Sequence, residues 1–234
     1  IADAANQNVE IIIFPELSIT GYTCGDLFAQ SVLLEEAEKS LEWLVAETQS
    51  LPVISIVGIP HPHNGSLINA AVVFQSGKIL GVVPKTFLPN YKEFYEKRWF
   101  ASALQTPECV TSICGQRVPM QRDMLFATSN TTFGVEICED LWSTIPPSSF
   151  LALEGAEIVF NMSADNDCVG KHSYLRNLVK QQSARCIAGY VFSSCGFGES
   201  TTDVVFAGTS IICDNGSTIA EGERFAMDRR MTVG

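Results

Sequence analysis

The chain has 234 residues, of which 46% are hydrophobic, and that is enough to bury a large core within one compact architecture. Its formal net charge is −11, an acidic balance that argues against nucleic acid or an anionic membrane surface as the main partner. The longest apolar runs are far too short to span a bilayer.

The first half of the chain predicts helices that alternate with buried strands. The segment NAAVVFQSGKILGVVPK predicts a hairpin that turns at Ser76-Gly77, and the aromatic-rich stretch after it predicts a loop with a short helix. The remaining predicted elements are the end of a helix at 1–10, a strand at 10–16, a helix at 31–49 and a strand at 52–60.

The second half predicts two more hairpins, one turning at Ser129-Asn130 and one at Asn215-Gly216. Three hairpins among alternating strands and helices favour layered mixed sheets with outer helices over a Rossmann-type parallel sheet. The other predicted elements are a helix at 148–156 with Ser148 as its N-cap, a strand at 157–164, a helix at 172–188 and a strand at 190–196.

Eight cysteines are scattered along the chain without a Cys-x-x-Cys pair, which predicts reduced thiols in a cytoplasmic protein and no metal site. Cys109 and Cys114 lie in a predicted loop, where a disulfide between them is the less favoured alternative. His61 and His63 are predicted to lie in a solvent-exposed turn, and His172 is predicted to lie on the surface. The histidines therefore give little support to a Cys–His nucleophile.

Three predicted strands end in residues that suit covalent catalysis: IIIFPE in Glu16, LGVVPK in Lys85 and FGVEIC in Cys138. Strand ends often converge on a common rim, where a carboxylate can accept a thiol proton and an ammonium can stabilise an oxyanion. Each residue alone has an ordinary alternative, as a capping acid, an edge lysine or a small buried thiol. Their joint occurrence favours a site.

The segments FPELSITGY, PKTFLPNYKEFYEKRWF and GVEICEDLW resemble the three signature blocks of the nitrilase, or carbon–nitrogen hydrolase, superfamily. The resemblance implies a Glu–Lys–Cys triad of Glu16, Lys85 and Cys138. It also implies an α/β fold, the α-β-β-α sandwich in which two mixed sheets lie between outer helices. Because it spans nearly the whole chain, residues 1–234 are predicted to be one carbon–nitrogen hydrolase domain, a fragment that lacks the first strand of that fold.

The segments KTFLPNYKEFYEKRWF, ICEDLW and QQSARCIAGYVFSSCGFGESTTDVVFAG are similar to the glutaminase domains of glutamine-dependent NAD+ synthetases. This similarity implies that glutamine is hydrolysed through a cysteine thioester. Ammonia would pass to a downstream synthetase domain of the same chain, which would use ATP, Mg²⁺ and deamido-NAD. The glutaminase domain itself would need no cofactor, and the protein would form a homo-oligomer.

The same resemblance implies further site residues. Glu96 would orient the lysine and the base, and its alternative is an ordinary surface acid. Asp165 and Lys171 stand where the family often has a serine and an arginine; they would contact the ammonium and the carboxylate of glutamine, although Lys171 can also be read as a solvated residue at a helix start. The implied lining of the glutamine pocket is Tyr91, Phe94, Glu139, Trp142, Asp165 and Lys171.

Two other functions remain open from the sequence. One is a free-standing amidase or nitrilase that acts on another carbon–nitrogen bond. The other is a non-catalytic scaffold that only docks partners, and the intact set of Glu16, Lys85 and Cys138 argues against it.

Overall fold

The computed structural model describes residues 1–234, which form two compact units, Ile1–Arg122 and Asp123–Gly234. Each unit contains one six-stranded mixed sheet together with helices. The predicted α/β fold built from two mixed sheets and helices is confirmed. No helix of the chain is both long and apolar enough to cross a membrane.

The first unit orders its strands β1-β2-β3-β4-β6-β5. The β1–β2 and β4–β6 pairs are parallel, and the other neighbours are antiparallel. Its helices and strands are α1 (Ala2–Asn6), β1 (Ile11–Ile13), α2 (Ser31–Glu47), β2 (Ile54–His63), β3 (Ser66–Gln75), β4 (Lys78–Pro84), β5 (Cys109–Ile113) and β6 (Gln116–Met120). Three short 3-10 helices complete the unit, at Gly25–Ala29, Glu96–Arg98 and Ala103–Gln105.

The helix α2 covers one face of the first sheet. Its buried residues Ala37, Leu41 and Val45 recur every four positions, so they lie on one side of the helix. They pack in one cluster with alternate residues of the strands, such as Val57 and Val72. Because strand residues point alternately to the two faces, the intervening residues of β2 and β3 point away from this cluster.

The second unit orders its strands β12-β11-β10-β9-β8-β7, with β8, β9 and β10 parallel and the outer pairs antiparallel. The helix of residues 171–186 buries Leu175 and Val179 against Tyr190 and Phe192. Its helices and strands are β7 (Leu125–Ala127), β8 (Thr132–Ile137), α3 (Glu139–Trp142), α4 (Pro147–Leu153), β9 (Ile158–Ser163), α5 (Lys171–Cys186), β10 (Gly189–Ser194), β11 (Ser210–Asp214) and β12 (Ser217–Glu221).

The three predicted hairpins are confirmed as β3–β4, β7–β8 and β11–β12. The prediction of an exposed turn at His61 is wrong, because β2 runs through His63 and the chain turns at Asn64-Gly65, both with positive φ. His61 is only 3% exposed and shares a hydrogen bond of 2.8 Å between its Nε2 and Thr111 Oγ1.

The predicted loop at Cys109–Cys114 is also wrong. These residues begin and follow β5, and the hairpin to β6 turns at Cys114-Gly115, both in positive-φ conformations. An extended strand of this length separates its ends by roughly 16 Å, too far for a disulfide. All eight cysteines are free.

The helix α4 differs from its prediction at its start. Pro146 is the N-cap and Pro147 the first helical residue, so Ser148 is not the cap. Proline suits this position because the first helical N–H has no partner inside the helix.

Candidate active site

Glu16 lies in a loop that is pinned to the first sheet. Ile19 N–H donates to the Gly58 carbonyl at 3.0 Å, and Gly58 N–H donates to Ser18 Oγ at 3.1 Å. A Cβ on Gly58 would lie 2.2 Å from the Leu17 nitrogen, so only glycine permits this close approach. Leu17 itself has a φ of +51°. The loop thereby holds the Glu16 side chain in a fully buried position.

Lys85 follows β4 directly and is fully buried. Its Nζ donates to Glu16 Oε1 at 2.6 Å, to Glu96 Oε1 at 2.7 Å and to Glu96 Oε2 at 2.9 Å. A buried ammonium is stable only when it is paired and hydrogen-bonded, and here two buried carboxylates meet that need.

Glu96 opens the 3-10 helix Glu96–Arg98, where its N–H donates to the Pro89 carbonyl at 3.1 Å. The Tyr22 hydroxyl donates to Glu96 Oε1 at 2.8 Å. Burial raises the pKa of Glu96 to about 7, although the Lys85 ammonium opposes that rise. Glu96 is 0% exposed, so the reading of it as a surface acid is wrong.

Cys138 lies in the second unit, between the end of β8 and the start of α3, and it is 6% exposed. Its backbone has φ +47° and ψ −101°, outside the regions that non-glycine residues usually occupy. Its N–H donates to the Met162 carbonyl of β9, and Asp140 Oδ2 accepts the Ile137 N–H at 2.9 Å. Strained backbone of this kind is typical of functional sites, where the surrounding structure holds it in place.

Asp165 and Lys171 form an ion pair in the second unit. Lys171 Nζ donates to Asp165 Oδ1 at 2.5 Å, and to the Asn166 Oδ1 and carbonyl oxygen at 2.6 and 3.0 Å. It also lies 5.1 Å from the centre of the Trp142 ring, within cation–π range. Lys171 is the first residue of α5, as its alternative interpretation had it, but its side chain is bound by protein groups and only 23% exposed, so it is not a solvated residue.

Burial raises the pKa of Asp165 to about 6, while Lys171 pulls it down and Glu139 contributes a small further rise. Glu139 directly follows Cys138 and is half-buried. Trp142 stacks on Tyr174, with ring centres 5.5 Å apart. This unit thus places two acids and a lysine near an aromatic surface, a set of groups that suits a zwitterionic ligand.

The other two predicted pocket residues lie in the first unit. Tyr91 is 51% exposed, and its ring meets that of Phe94 edge to face, with centres 6.3 Å apart. Their role in binding stays a prediction.

The structure brings Glu16, Lys85 and Glu96 into direct contact, as the resemblance implied, and it joins Asp165 to Lys171. Sequence reasoning missed Asn69, which donates to Glu16, and Glu136, a buried acid on β8. The available signal was a lone polar residue inside an apolar strand, in SLINAAVVF and in FGVEI.

Comparison with known proteins gives a consistent set of relatives. The family described as carbon-nitrogen hydrolase matches residues 1–228. The glutamine-dependent NAD(+) synthetase of Mycobacterium tuberculosis is 40% identical over 231 residues, covering 97% of this chain and 34% of the relative. The synthetase of the same name from Aquifex aeolicus is 30% identical, covering 97% and 37%. The chain spans about a third of the length of these curated relatives.

Solved structures agree with this picture. The glutamine-dependent NAD(+) synthetase from Cytophaga hutchinsonii superposes with a TM-score of 0.88 at 28% identity, over 99% of this chain and 38% of that one. An amidase of the nitrilase superfamily from Nesterenkonia superposes with a TM-score of 0.73 at 18% identity, over 95% of this chain and 76% of that one. The second likeness shows a shared fold.

Proposed function

Because the chain belongs to the carbon–nitrogen hydrolase family, we propose that it hydrolyses the side-chain amide of glutamine and supplies the ammonia to an NAD+ synthetase domain. The observation that carries this proposal is the Lys85 ammonium, bound between the buried carboxylates of Glu16 and Glu96. The names of the curated relatives favour glutamine over other amides.

The first half of the proposed reaction forms a thioester. Glu16 accepts the Cys138 proton, and the sulfur attacks the amide carbon of glutamine to form a tetrahedral intermediate. Lys85 and the backbone N–H of Glu139 stabilise its oxyanion. The carbon–nitrogen bond then breaks, Glu16 returns the proton to the leaving nitrogen, and ammonia departs.

The second half releases the acid. Water attacks the thioester carbon while Glu16 accepts a proton from the water. The carbon–sulfur bond breaks, the sulfur regains a proton, and glutamate leaves. Glu96 supports both halves by holding the Lys85 ammonium in place through its two oxygens. The net change is glutamine plus water to glutamate plus ammonia.

The glutamine zwitterion needs an acid and a base in its pocket. We propose that Glu139 and Asp165 meet its ammonium and that Lys171 meets its carboxylate as a point charge. The zwitterion would then insert into the Asp165–Lys171 ion pair and exchange one set of charge contacts for another. Trp142, Tyr91 and Phe94 would supply apolar walls.

The proposed partner is a synthetase domain of the same chain, which would use ATP, Mg²⁺ and deamido-NAD. Relatives of which this chain matches only about a third support a fused arrangement. The proposal extends to a cytoplasmic homo-oligomer, and eight free thiols are consistent with a reducing compartment.

The test is mass spectrometry after exposure to 6-diazo-5-oxo-L-norleucine, a glutamine analogue that alkylates nucleophiles. We expect one adduct on Cys138, blocked by excess glutamine and absent from the Cys138→Ala variant. Exposed Cys168 provides the internal control, because it should react with iodoacetamide but not with the analogue.

Other outcomes would redirect the proposal. Labelling of Cys138 by small amides or nitriles but not by the analogue would indicate a free-standing amidase. Full ammonia release by Cys138→Ala would rule out the covalent mechanism.

A further inference from the structure

Asn69 is a buried polar residue beside the cluster of Glu16, Lys85 and Glu96. It lies on β3 opposite Pro60 of β2 and is 0% exposed. Its neighbours Ile68 and Ala70 point to the face that α2 covers, so Asn69 points to the other face. An asparagine inside an otherwise apolar strand needs a reason, because burying an amide is unfavourable unless it is hydrogen-bonded.

Asn69 contacts both proposed catalytic residues of this unit. Its Nδ2 donates to Glu16 Oε1 at 2.7 Å. Its backbone carbonyl accepts the Lys85 N–H at 2.9 Å. The residue therefore connects the side chain of the proposed base to the main chain of the lysine.

Asn69 and Lys85 bind the same oxygen of the Glu16 carboxylate. Oε1 accepts hydrogen bonds from both Asn69 Nδ2 and Lys85 Nζ. Two donors on one oxygen hold the carboxylate in one orientation and stabilise its negative charge.

The orientation of the amide follows from its surroundings. If the amide were flipped, Asn69 Oδ1 would face Glu16 Oε1, and two acceptors would oppose each other. In the observed orientation Oδ1 is buried without a hydrogen-bond partner. Leaving a buried acceptor unsatisfied costs about 1–3 kcal/mol, so the amide at this position is not explained by stability alone.

We infer that Asn69 is a positioning residue that fixes the orientation of the Glu16 carboxylate, the proposed base. The inference rests on the proposed function, since it assumes that Glu16 is the base for Cys138. It adds a residue that positions this base.

The test compares Asn69→Leu and Asn69→Ser with Ser55→Ala. Ser55 is a matched control, because it is fully buried in the same sheet, on the α2 side, and its Oγ also lacks a partner. Two measurements are made between pH 5 and 9: ammonia release from glutamine, and alkylation of Cys138 by iodoacetamide followed by mass spectrometry.

We expect both Asn69 variants to lower kcat about 100-fold, within the usual contribution of a positioned base, with KM changed less than about threefold. The acidic limb of both pH profiles should move to higher pH, because the hydrogen bond from Asn69 favours the charged form of the proposed base. Ser55→Ala should leave both profiles unchanged.

A merely structural role would lower both rates in proportion to the folded fraction and leave the acidic limb in place, which would overturn the inference. Failure of both Asn69 variants to fold, while Ser55→Ala folds, would also overturn it. If the unsubstituted protein releases no ammonia from glutamine but the alkylation limb still shifts, glutamine is not the substrate, while the positioning of the base by Asn69 stands. If glutamine is hydrolysed and Asn69→Leu behaves like the unsubstituted protein, the inference fails alone.

Discussion

Both units bury carboxyl groups, but the groups that bind these carboxyl groups differ between the two units. In the first unit, Glu16 and Glu96 share the ammonium of Lys85. In the second unit, Glu136 is 1% exposed and accepts hydrogen bonds from neutral donors, the Tyr190 hydroxyl among them. The other two donors are Ser148 N–H at 2.7 Å and Asn161 Nδ2 at 3.5 Å.

The difference separates a cluster suited to catalysis from a buried acid that holds elements of the fold together. A buried lysine between two acids can stabilise a developing negative charge, so its cluster is suited to catalysis. The partners of Glu136 come from α4, β9 and β10, so its hydrogen bonds tie these elements to β8. Burial raises the pKa of Glu136 above its usual value, although its hydrogen-bond donors oppose that rise. The sharpest way to test this contrast is to remove the partners on each side.

The largest effect is expected from Lys85→Met. The substitution leaves Glu16 and Glu96 buried without their shared ammonium, and breaking a buried ion pair in this way costs about 3–5 kcal/mol. Without the ammonium, nothing opposes the effect of burial on the pKa of Glu96 except the Tyr22 hydroxyl, so the loss should be larger at pH 8 than at pH 5. Urea unfolding at the two pH values measures this difference, and glutamine hydrolysis should be lost.

The matched control is Lys39→Met, which breaks an exposed ion pair with Glu36. An exposed pair contributes about 0–1 kcal/mol, so this variant should unfold at nearly the urea concentration of the unsubstituted protein. If Lys85→Met lowered the free energy of unfolding by less than about 1 kcal/mol, the buried carboxyl groups of the first unit would not depend on the ammonium. Neutral donors would then be enough for them, as they are for Glu136.

Glu136→Leu is the corresponding change in the second unit. It leaves the Tyr190 hydroxyl and the Ser148 N–H without their acceptor, which should lower the free energy of unfolding by about 3 kcal/mol. Glu154→Leu, at the exposed residue that follows α4, is the control and should change stability by less than about 0.5 kcal/mol.

The pH dependence separates the two units further. The raised pKa of Glu136 means that the native protein binds its proton more tightly than the unfolded chain does. The contribution of Glu136 to the free energy of unfolding therefore falls as the pH rises above the pKa of a glutamate in the unfolded chain. Glu136→Leu should remove this fall. If the loss of stability in Glu136→Leu instead grew with pH, as is expected for Lys85→Met, the two units would not differ in how they stabilise their buried acids.

The sequence predicts the proposed catalytic residues better than the buried acid that joins the elements of the second unit. Glu16, Lys85 and Cys138 each follow an apolar strand and stand within recognisable blocks, so their positions follow from local patterns. The hairpins at Ser76-Gly77 and Asn215-Gly216 likewise follow from the local sequence, because each turn contains a glycine that adopts positive φ at little cost.

Glu136 shows where sequence reasoning ends. Phe133, Val135 and Ile137 alternate with Gly134 and Glu136, a pattern that normally places the acid in water. Here both faces of β8 are buried, because α4 packs on the second one. Whether a polar strand face meets solvent or a helix depends on contacts between distant segments, which the local pattern does not contain. For the same reason, the local sequence does not predict the burial of His61 beside Thr111, which lies 50 residues further along the chain.

The smallest expected effect comes from Glu96→Gln, and it appears as a change of slope with pH. Burial raises the pKa of Glu96 to about 7, well above the value of 4.5 for a free glutamate side chain. Between these two values the native protein binds more protons than the unfolded chain, so this group makes the protein less stable as pH rises. Glutamine does not titrate, so the variant should gain stability relative to the unsubstituted protein by an amount on the order of 2 kcal/mol between pH 4.5 and 7.

Urea midpoints across this range measure the difference, with exposed Glu36→Gln as the control. Parallel pH curves for the two proteins would mean that Lys85 and Tyr22 hold Glu96 ionised throughout, and the first unit would then carry a permanent negative charge that the second does not.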